Sequence, residues 1–81
     1  MNYKIDRIYE VYWVDSSTLS GNGPWYNRDN KYFKLMQCKT VGYCIRSTAE
    51  YVTLCSSIQD HDISGDMTIP LVAITKTWEI V

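Results

Sequence analysis

Apolar and polar residues alternate in the first part of the chain, and a period of two residues predicts a β-strand. From Ile5 to Val14 the sequence mixes β-branched and aromatic residues, which favour strands. Successive strand side chains point to opposite faces, so Tyr9, Val11 and Trp13 share one face. The other face carries Ile8, Glu10 and Tyr12. This segment is the first predicted strand.

Four further strands are predicted from runs of β-branched and aromatic residues that end at polar residues or proline. They are Cys38 to Ser47, Tyr51 to Ile58, Asp66 to Ile69 and Ile74 to Val81. Gln59 to Gly65 is predicted to be a polar hairpin loop. Pro70 ends the fourth strand because proline cannot donate to a central ladder. Leu71-Val72-Ala73 fits a single helical turn before the last strand.

The region between the first two strands has a different composition. Ser16 to Pro24 gathers Ser, Thr, Gly, Asn and Pro, which predicts a loop. Trp25 and Tyr26 follow it, and Asn27 to Met36 is predicted to be a short helix. Its N-cap would be Asn27 or Asp29, and its apolar stripe Tyr32, Leu35 and Met36.

Five strands, a long loop after the first and a one-turn break before the last form the layout of a small SH3-like or Sm-like barrel. The segment MTIPLVAITKTWEIV carries this resemblance most clearly. With YEVYWVDSSTLSG, a Trp and KTVGYCIRSTAEYVTLCSSI, the chain resembles a group of short phage and prophage proteins of unassigned role. The run Gly21 to Pro24 before Trp25 is longer than is usual in that group. The resemblance implies a mainly β, partly open five-stranded barrel with one short helix inserted after the first strand.

Length and composition narrow the class of protein. The 81 residues predict a single domain, residues 1–81, and an apolar fraction of 46% argues against disorder. Seven Tyr and three Trp suit interfaces as well as cores, and in so short a chain we expect association to bury part of them. This favours a homo-oligomer.

Charge and cysteine content bear on partners and compartment. A net charge of −1 without a basic stripe disfavours duplex nucleic acid, whereas one small nucleotide remains compatible. The polar start and the lack of an apolar run predict no membrane partner and a cytoplasmic location, that of the infected host cell if the phage resemblance holds. Three cysteines, an odd number, favour a reducing compartment.

Metal and nucleotide motifs are incomplete. Cys38, Cys44, Cys55 and His61 are spaced too widely for a zinc knuckle, and Cys38 and Cys44 on one strand lie about 20 Å apart, too far to bridge. Structural, free cysteines are expected instead. Asp60-His61-Asp62 and Asp66 lack the oxygen spacing of a calcium loop. Gly21-Asn22-Gly23 lacks the third glycine of the dinucleotide fingerprint, because Tyr26 stands there. No metal and no cofactor is predicted.

Catalytic motifs are missing as well. A single histidine, His61, would have to activate a serine or a cysteine, and no serine lies in a nucleophile elbow. The chain is therefore predicted not to be an enzyme.

A binding groove is the remaining candidate site. Ser56-Ser57 interrupts an apolar strand on both faces, and hydroxyls there need partners or water. A strand end that leaves the core would explain them; a polar patch flanked by aromatic residues would describe a small-ligand or peptide groove. In SH3-like barrels the loop after the first strand commonly contributes to the partner site, and the resemblance implies the same here. The predicted groove residues are Trp13, Asp15, Ser16, Trp25, Tyr26, Tyr43, Ser56 and Ser57.

These features predict a non-enzymatic, phage-encoded binding module, an accessory or anti-defence protein that binds a host protein or a small signalling nucleotide. The alternative is a structural or assembly protein that acts through homo-oligomerisation without a ligand.

Overall fold

The computed structural model describes residues 2–16, 28–29 and 34–81. Within them the protein is mainly β, with seven strands and one 3₁₀ turn. The strands are β1 (Ile8–Asp15), β2 (Met36–Ser47), β3 (Tyr51–Cys55), β4 (Ser57–Gln59), β5 (Asp62–Ser64), β6 (Met67–Pro70) and β7 (Ile74–Ile80). The 3₁₀ turn, Leu71–Ala73, joins β6 to β7. None of the described segments is a helix long and apolar enough to cross a bilayer.

Five strands form one antiparallel sheet in the order β6-β3-β2-β1-β7. The strands β1, β2 and β3 follow one another as a meander, and β7 returns to pair with the free side of β1. The edge strands β6 and β7 are not paired with each other, so the sheet is open. The strands β4 and β5 form a separate two-stranded ribbon between β3 and β6.

One face of the sheet, called the inner face, carries the core. Tyr9, Val11 and Trp13 are buried there, which confirms the face assignment made from their alternation. The other buried members of the cluster are Tyr3, Cys44, Val52, Leu54 and Ile69. The rings of Tyr3 and Tyr9 pack edge-on with their centres 4.9 Å apart, so the segment before β1 covers this end of the core.

Backbone irregularities bend the sheet around this core. The register shifts between Cys44 and Arg46 where β2 pairs with β3, and between Tyr12 and Trp13 where β1 pairs with β7. Each bulge adds a residue to one strand and increases the local twist. At Gly42 the backbone of Cys55 approaches so closely that a Cβ would lie 2.6 Å from its carbonyl oxygen. Glycine is therefore required at that position.

Several predicted boundaries need correction. The first strand begins at Ile8 rather than Ile5, because Lys4 to Arg7 form a turn in which Asp6 has φ 70° and the Arg7 N–H donates to the Lys4 carbonyl at 3.3 Å. The third strand stops at Cys55 instead of Ile58, because Ser56 directs the chain into the ribbon. The predicted hairpin loop from Gln59 to Gly65 contains the strand β5.

Other predictions hold at the level of elements. A mainly β protein with a five-stranded antiparallel sheet is confirmed, as is the single helical turn at Leu71–Ala73. Pro70 ends β6, an edge strand, where its missing N–H is tolerated. The predicted helix from Asn27 to Met36 lies largely outside the described residues, and Met36 itself begins β2. The 3₁₀ turn is the only helical element in the described part of the chain.

Candidate functional site

The side of the sheet opposite the core has an ordered arrangement of side chains across β7, β1 and β2. Because paired residues share a face, the two registers place them in three rows of three. The rows are Ile80–Ile8–Tyr43, Trp78–Glu10–Val41 and Lys76–Tyr12–Lys39. We call these nine residues the outer face.

The first two rows of the outer face are largely apolar and open to solvent. Val41 is 49% exposed, Tyr43 36%, Trp78 41% and Ile80 40%. A single exposed apolar residue is ordinary on a protein surface, but these four lie in adjacent rows, Tyr43 and Ile80 beside Ile8 and Val41 and Trp78 beside Glu10. A contiguous apolar patch on one side of a sheet is typical of an interaction surface.

The third row combines aromatic rings with two ammonium groups. The Lys76 Nζ lies 4.4 Å from the centre of the Tyr12 ring and 5.6 Å from that of Trp78. The Lys39 Nζ lies 5.7 Å from the Tyr12 ring centre on the same row. Neither lysine forms an ion pair with a described carboxylate. The ring faces thus hold both cations in place while leaving them available to an anion.

Glu10 occupies the middle of the outer face and interacts with Tyr12. Hydrogen bonding with the Glu10 side chain is the largest cause of a raised Tyr12 pKa. Partial burial and the negative charge of Glu10 raise the pKa of Tyr12 further. Tyr12 is therefore a neutral phenol at physiological pH, and it reduces the cost of placing a carboxylate among apolar side chains.

A depression of about 380 Å³ adjoins the basic row, and its volume is in the range of small-ligand sites. The residues that line it are Tyr12, Gln37, Cys38, Lys39, Thr75 and Lys76. Thr75 is the extra residue of the bulge in β7, and its hydroxyl donates to the Tyr12 carbonyl at 3.2 Å. The bulge therefore places Lys76 at the rim of the depression, opposite Lys39.

The described members of the predicted groove lie in four different places. Trp13 is on the inner face, 8% exposed, and its Nε1 donates to the Thr40 hydroxyl at 3.0 Å. Asp15 ends β1, where its carboxylate accepts the Ser16 N–H at 2.8 Å. Tyr43 belongs to the outer face. Ser56 and Ser57 lie at the base of the ribbon, and the Ser56 hydroxyl donates to the Ser64 carbonyl.

The structure does not bring these described residues into one groove. Trp13 and Tyr43 face opposite sides of the sheet. Asp15 pairs with Met36, whereas Tyr43 pairs with Cys55, next to Ser56. Seven positions of β2 separate these two pairs, a distance of about 23 Å along a strand. Trp25 and Tyr26 lie outside the described residues, so their part of the groove stays a prediction.

The residues that complete the outer face were not found from the sequence. The pattern of β1 already separated Ile8, Glu10 and Tyr12 from the core-facing positions. Their neighbours Lys39, Val41, Lys76 and Trp78 became visible only through the registers with β2 and β7. The usable signal in the sequence was the alternation in TKTWEI, which puts lysine and tryptophan on the same face of a strand.

The cysteines were predicted to be free and structural, and their burial agrees with side chains that belong to the sheet. All three are free, Cys44 and Cys55 are buried, and Cys38 is half-buried. Burial is the main cause of a raised pKa for the Cys44 thiol, which keeps it protonated and weakly nucleophilic. Among the described side chains no group of three His, Cys, Asp or Glu could hold a metal ion.

Comparisons with known proteins add no further constraint. The chain matches no protein-family model, no curated protein and no solved structure. The described residues define a small, mainly β protein with an open antiparallel sheet, one face of which packs the core while the other exposes apolar and cation–aromatic rows.

Proposed function

We propose that the protein is a non-enzymatic binding module of the SH3-like or Sm-like barrel type. Two features support the barrel: the order β6-β3-β2-β1-β7, and the 3₁₀ turn that precedes a last strand paired with the first. The resemblance of the sequence to short phage and prophage proteins supports an accessory or anti-defence role in the cytoplasm of an infected host. The binding activity itself is argued from the outer face.

The outer face is the partner surface, and the observation that carries this proposal is its division into apolar and basic rows. Val41, Trp78 and Ile80 offer exposed apolar area beside the ammonium groups of Lys39 and Lys76. The complementary partner is an extended protein segment with apolar residues followed by an acidic one. Burial of the apolar residues drives such an association, and the charges set its orientation.

A displayed library of random decapeptides tests this function. Peptides that combine aliphatic or aromatic residues with Asp or Glu are expected to be enriched on the parent protein. The Trp78→Ser variant should lose them, because an exposed aromatic anchor contributes a large share of an interface. Val72→Ser is the matched control, since Val72 is 97% exposed but lies on the 3₁₀ turn. Enrichment that both variants retain would refute the outer face as the partner surface.

A small nucleotide is the second candidate ligand, and the depression beside the basic row favours it. The ring of Tyr12 or Trp78 would contact a base, and Lys39 and Lys76 would neutralise its phosphate. Calorimetric titrations with AMP, adenosine and inorganic phosphate separate these contributions. Binding of AMP should be strongest and should disappear in Lys39→Gln/Lys76→Gln, whereas Lys4→Gln should bind as the parent does. Equal binding by both variants would exclude this ligand site.

A further inference from the structure

The two-stranded ribbon extends from the sheet as an exposed arm. All six residues of β4 and β5 are exposed, and each of the two strands packs mainly against the other. Its base is held by Ser56, whose backbone N–H and hydroxyl both donate to the Ser64 carbonyl at 3.1 Å. Gly65, with φ +68°, lies directly against the Ser56 side chain. The described contacts thus tie the arm to the sheet mainly at its base.

The ribbon has one apolar and one polar side. Ile58 pairs with Ile63, and the two side chains are 41% and 44% exposed. The pairs on the other side are Ser57 with Ser64 and Gln59 with Asp62. An isolated hairpin is at best marginally stable in water, so an apolar pair on a free ribbon is expected to be covered by a partner.

We infer that the ribbon of one copy docks on the outer face of a second copy, with Ile58 and Ile63 on the apolar rows and Asp60 on the basic row. This inference rests on the proposed function of the outer face and names its occupant. The order agrees: Asp60 follows Ile58 towards the tip of the ribbon, and the lysine row follows the Trp78–Glu10–Val41 row on the outer face.

Charge complementarity selects this occupant. Asp60, in the turn of the ribbon, is exposed and carries a carboxylate, while Lys39 and Lys76 hold two ammonium groups around Tyr12 that form no ion pair with a described carboxylate. In this docking Ile58 and Ile63 pack on Val41 and Trp78, which flank Glu10, and Asp60 at the tip of the ribbon lies towards the lysine row. The reverse orientation would place that carboxylate on Ile8, Tyr43 and Ile80, with no cation in the row.

The contact is heterologous, because the ribbon and the outer face are different surfaces of the same chain. Each copy therefore has one ribbon to donate and one outer face to receive a ribbon. Association of this kind closes as a ring or continues as a filament. This geometry makes a specific prediction about mixtures: a copy defective in its ribbon and a copy defective in its face still have one functional contact between them.

Charge reversal with native mass spectrometry and sedimentation tests the contact. Asp60→Lys alone and Lys39→Glu/Lys76→Glu alone are each expected to weaken self-association by roughly tenfold or more, because a charged pair becomes a like-charge pair. A single chain that carries all three substitutions should regain it. Asp66→Lys and Lys4→Glu are the matched controls, since both residues are exposed charges outside the contact. Both should associate like the parent.

The folded state of each variant is verified by its circular dichroism spectrum and its melting temperature. Asp60 has φ 54°, which lysine adopts less readily than aspartate, so Asp60→Asn serves as a second ribbon variant that keeps the turn. It should weaken association less than Asp60→Lys does. Equal loss in both ribbon variants, with no recovery in the triple variant, would overturn the charge contact.

Other outcomes separate the inference from the function on which it rests. A parent that stays monomeric up to about 1 mM, the weak limit of specific association, would overturn the inference. Association lost in the face variant but insensitive to every ribbon change would also overturn it, while leaving the outer face as a binding surface. Peptide binding that is unaffected by Trp78→Ser would instead contradict the proposed function itself.

Discussion

At the scale of single residues, burial decides which side chains stabilise the protein and which remain available for contacts. Leu54 is 1% exposed in β3 and belongs to the same cluster as Val52 and Ile69. Val41 and Trp78, on the outer face, are 49% and 41% exposed. Substitutions in the first set are expected to act on folding, and substitutions in the second on the proposed association.

Leu54→Ala is expected to lower the free energy of unfolding by about 2–5 kcal/mol, because it removes buried methyl groups and leaves a cavity. Chemical denaturation monitored by tryptophan fluorescence measures the change. Leu35→Ala is the control, since Leu35 is 60% exposed, and a surface change of this kind costs less than about 0.5 kcal/mol. Similar costs at both positions would show that the inner face is not the core.

Thiol reactivity should follow burial. Iodoacetamide is expected to modify Cys38, which is half-buried, well before Cys44 and Cys55 in the native protein. Because burial raises the Cys44 pKa above the ordinary value of 9.0, its neutral form stabilises the fold at neutral pH. That contribution declines as the pH rises above 9.0 towards the raised pKa. Mass spectrometry of labelled peptides at several pH values measures the order; early labelling of Cys44 would contradict it.

At the scale of elements, the sheet and the ribbon are nearly independent. The sheet has a packed inner face and ladders that join all five of its strands, whereas β4 and β5 contribute no buried side chain. At the junction between them, Ser56 donates to the Ser64 carbonyl and Gly65 lies close to the Ser56 side chain. Because of this arrangement, residues of the ribbon can be replaced without disturbing the packing of the core.

Replacing residues 57–64 by Asn-Gly, a sequence that favours tight hairpin turns, should leave the melting temperature within a few degrees of the parent. The same protein should lose self-association, since Ile58, Asp60 and Ile63 are removed. Thermal denaturation and sedimentation on one preparation report both properties. A collapse of the melting temperature would mean that the ribbon stabilises the sheet.

At the scale of the whole molecule, an open sheet leaves one face and two edges to be covered. The described part of the chain extends over 48 × 25 × 21 Å and is therefore elongated rather than spherical. A small domain buries a limited fraction of its apolar surface when it folds alone, and association can add to that burial. The ribbon and the outer face are the surfaces suited to do so.

Association should therefore make stability depend on concentration. Partners that bind only the folded state raise the melting temperature by mass action, so the parent should melt higher as its concentration increases. The protein lacking residues 57–64 should show the same melting temperature at every concentration. Differential scanning calorimetry over a hundredfold range measures both. A parent with a constant melting temperature would argue against assembly.

The sequence by itself determined the local properties of the strands. Alternation in β1 separated Tyr9, Val11 and Trp13 from Ile8, Glu10 and Tyr12, because side-chain direction in a strand repeats every two residues. Pro70 and the small apolar residues after it predicted the end of β6 and the helical turn. The width of the cysteine spacing predicted free thiols.

Only the tertiary structure decided which strands are neighbours and in what register. Lys76, Tyr12 and Lys39 are separated by dozens of residues, and no local pattern links them until β7 and β2 flank β1. The same registers put Trp13 and Tyr43 on opposite faces of the sheet. Their positions in the sequence did not show this, so both were assigned to one groove. Pairing between distant strands depends on loop closure and on burial of the whole core. The outer face is therefore formed only when the three strands have paired, and no single segment of the sequence contains it.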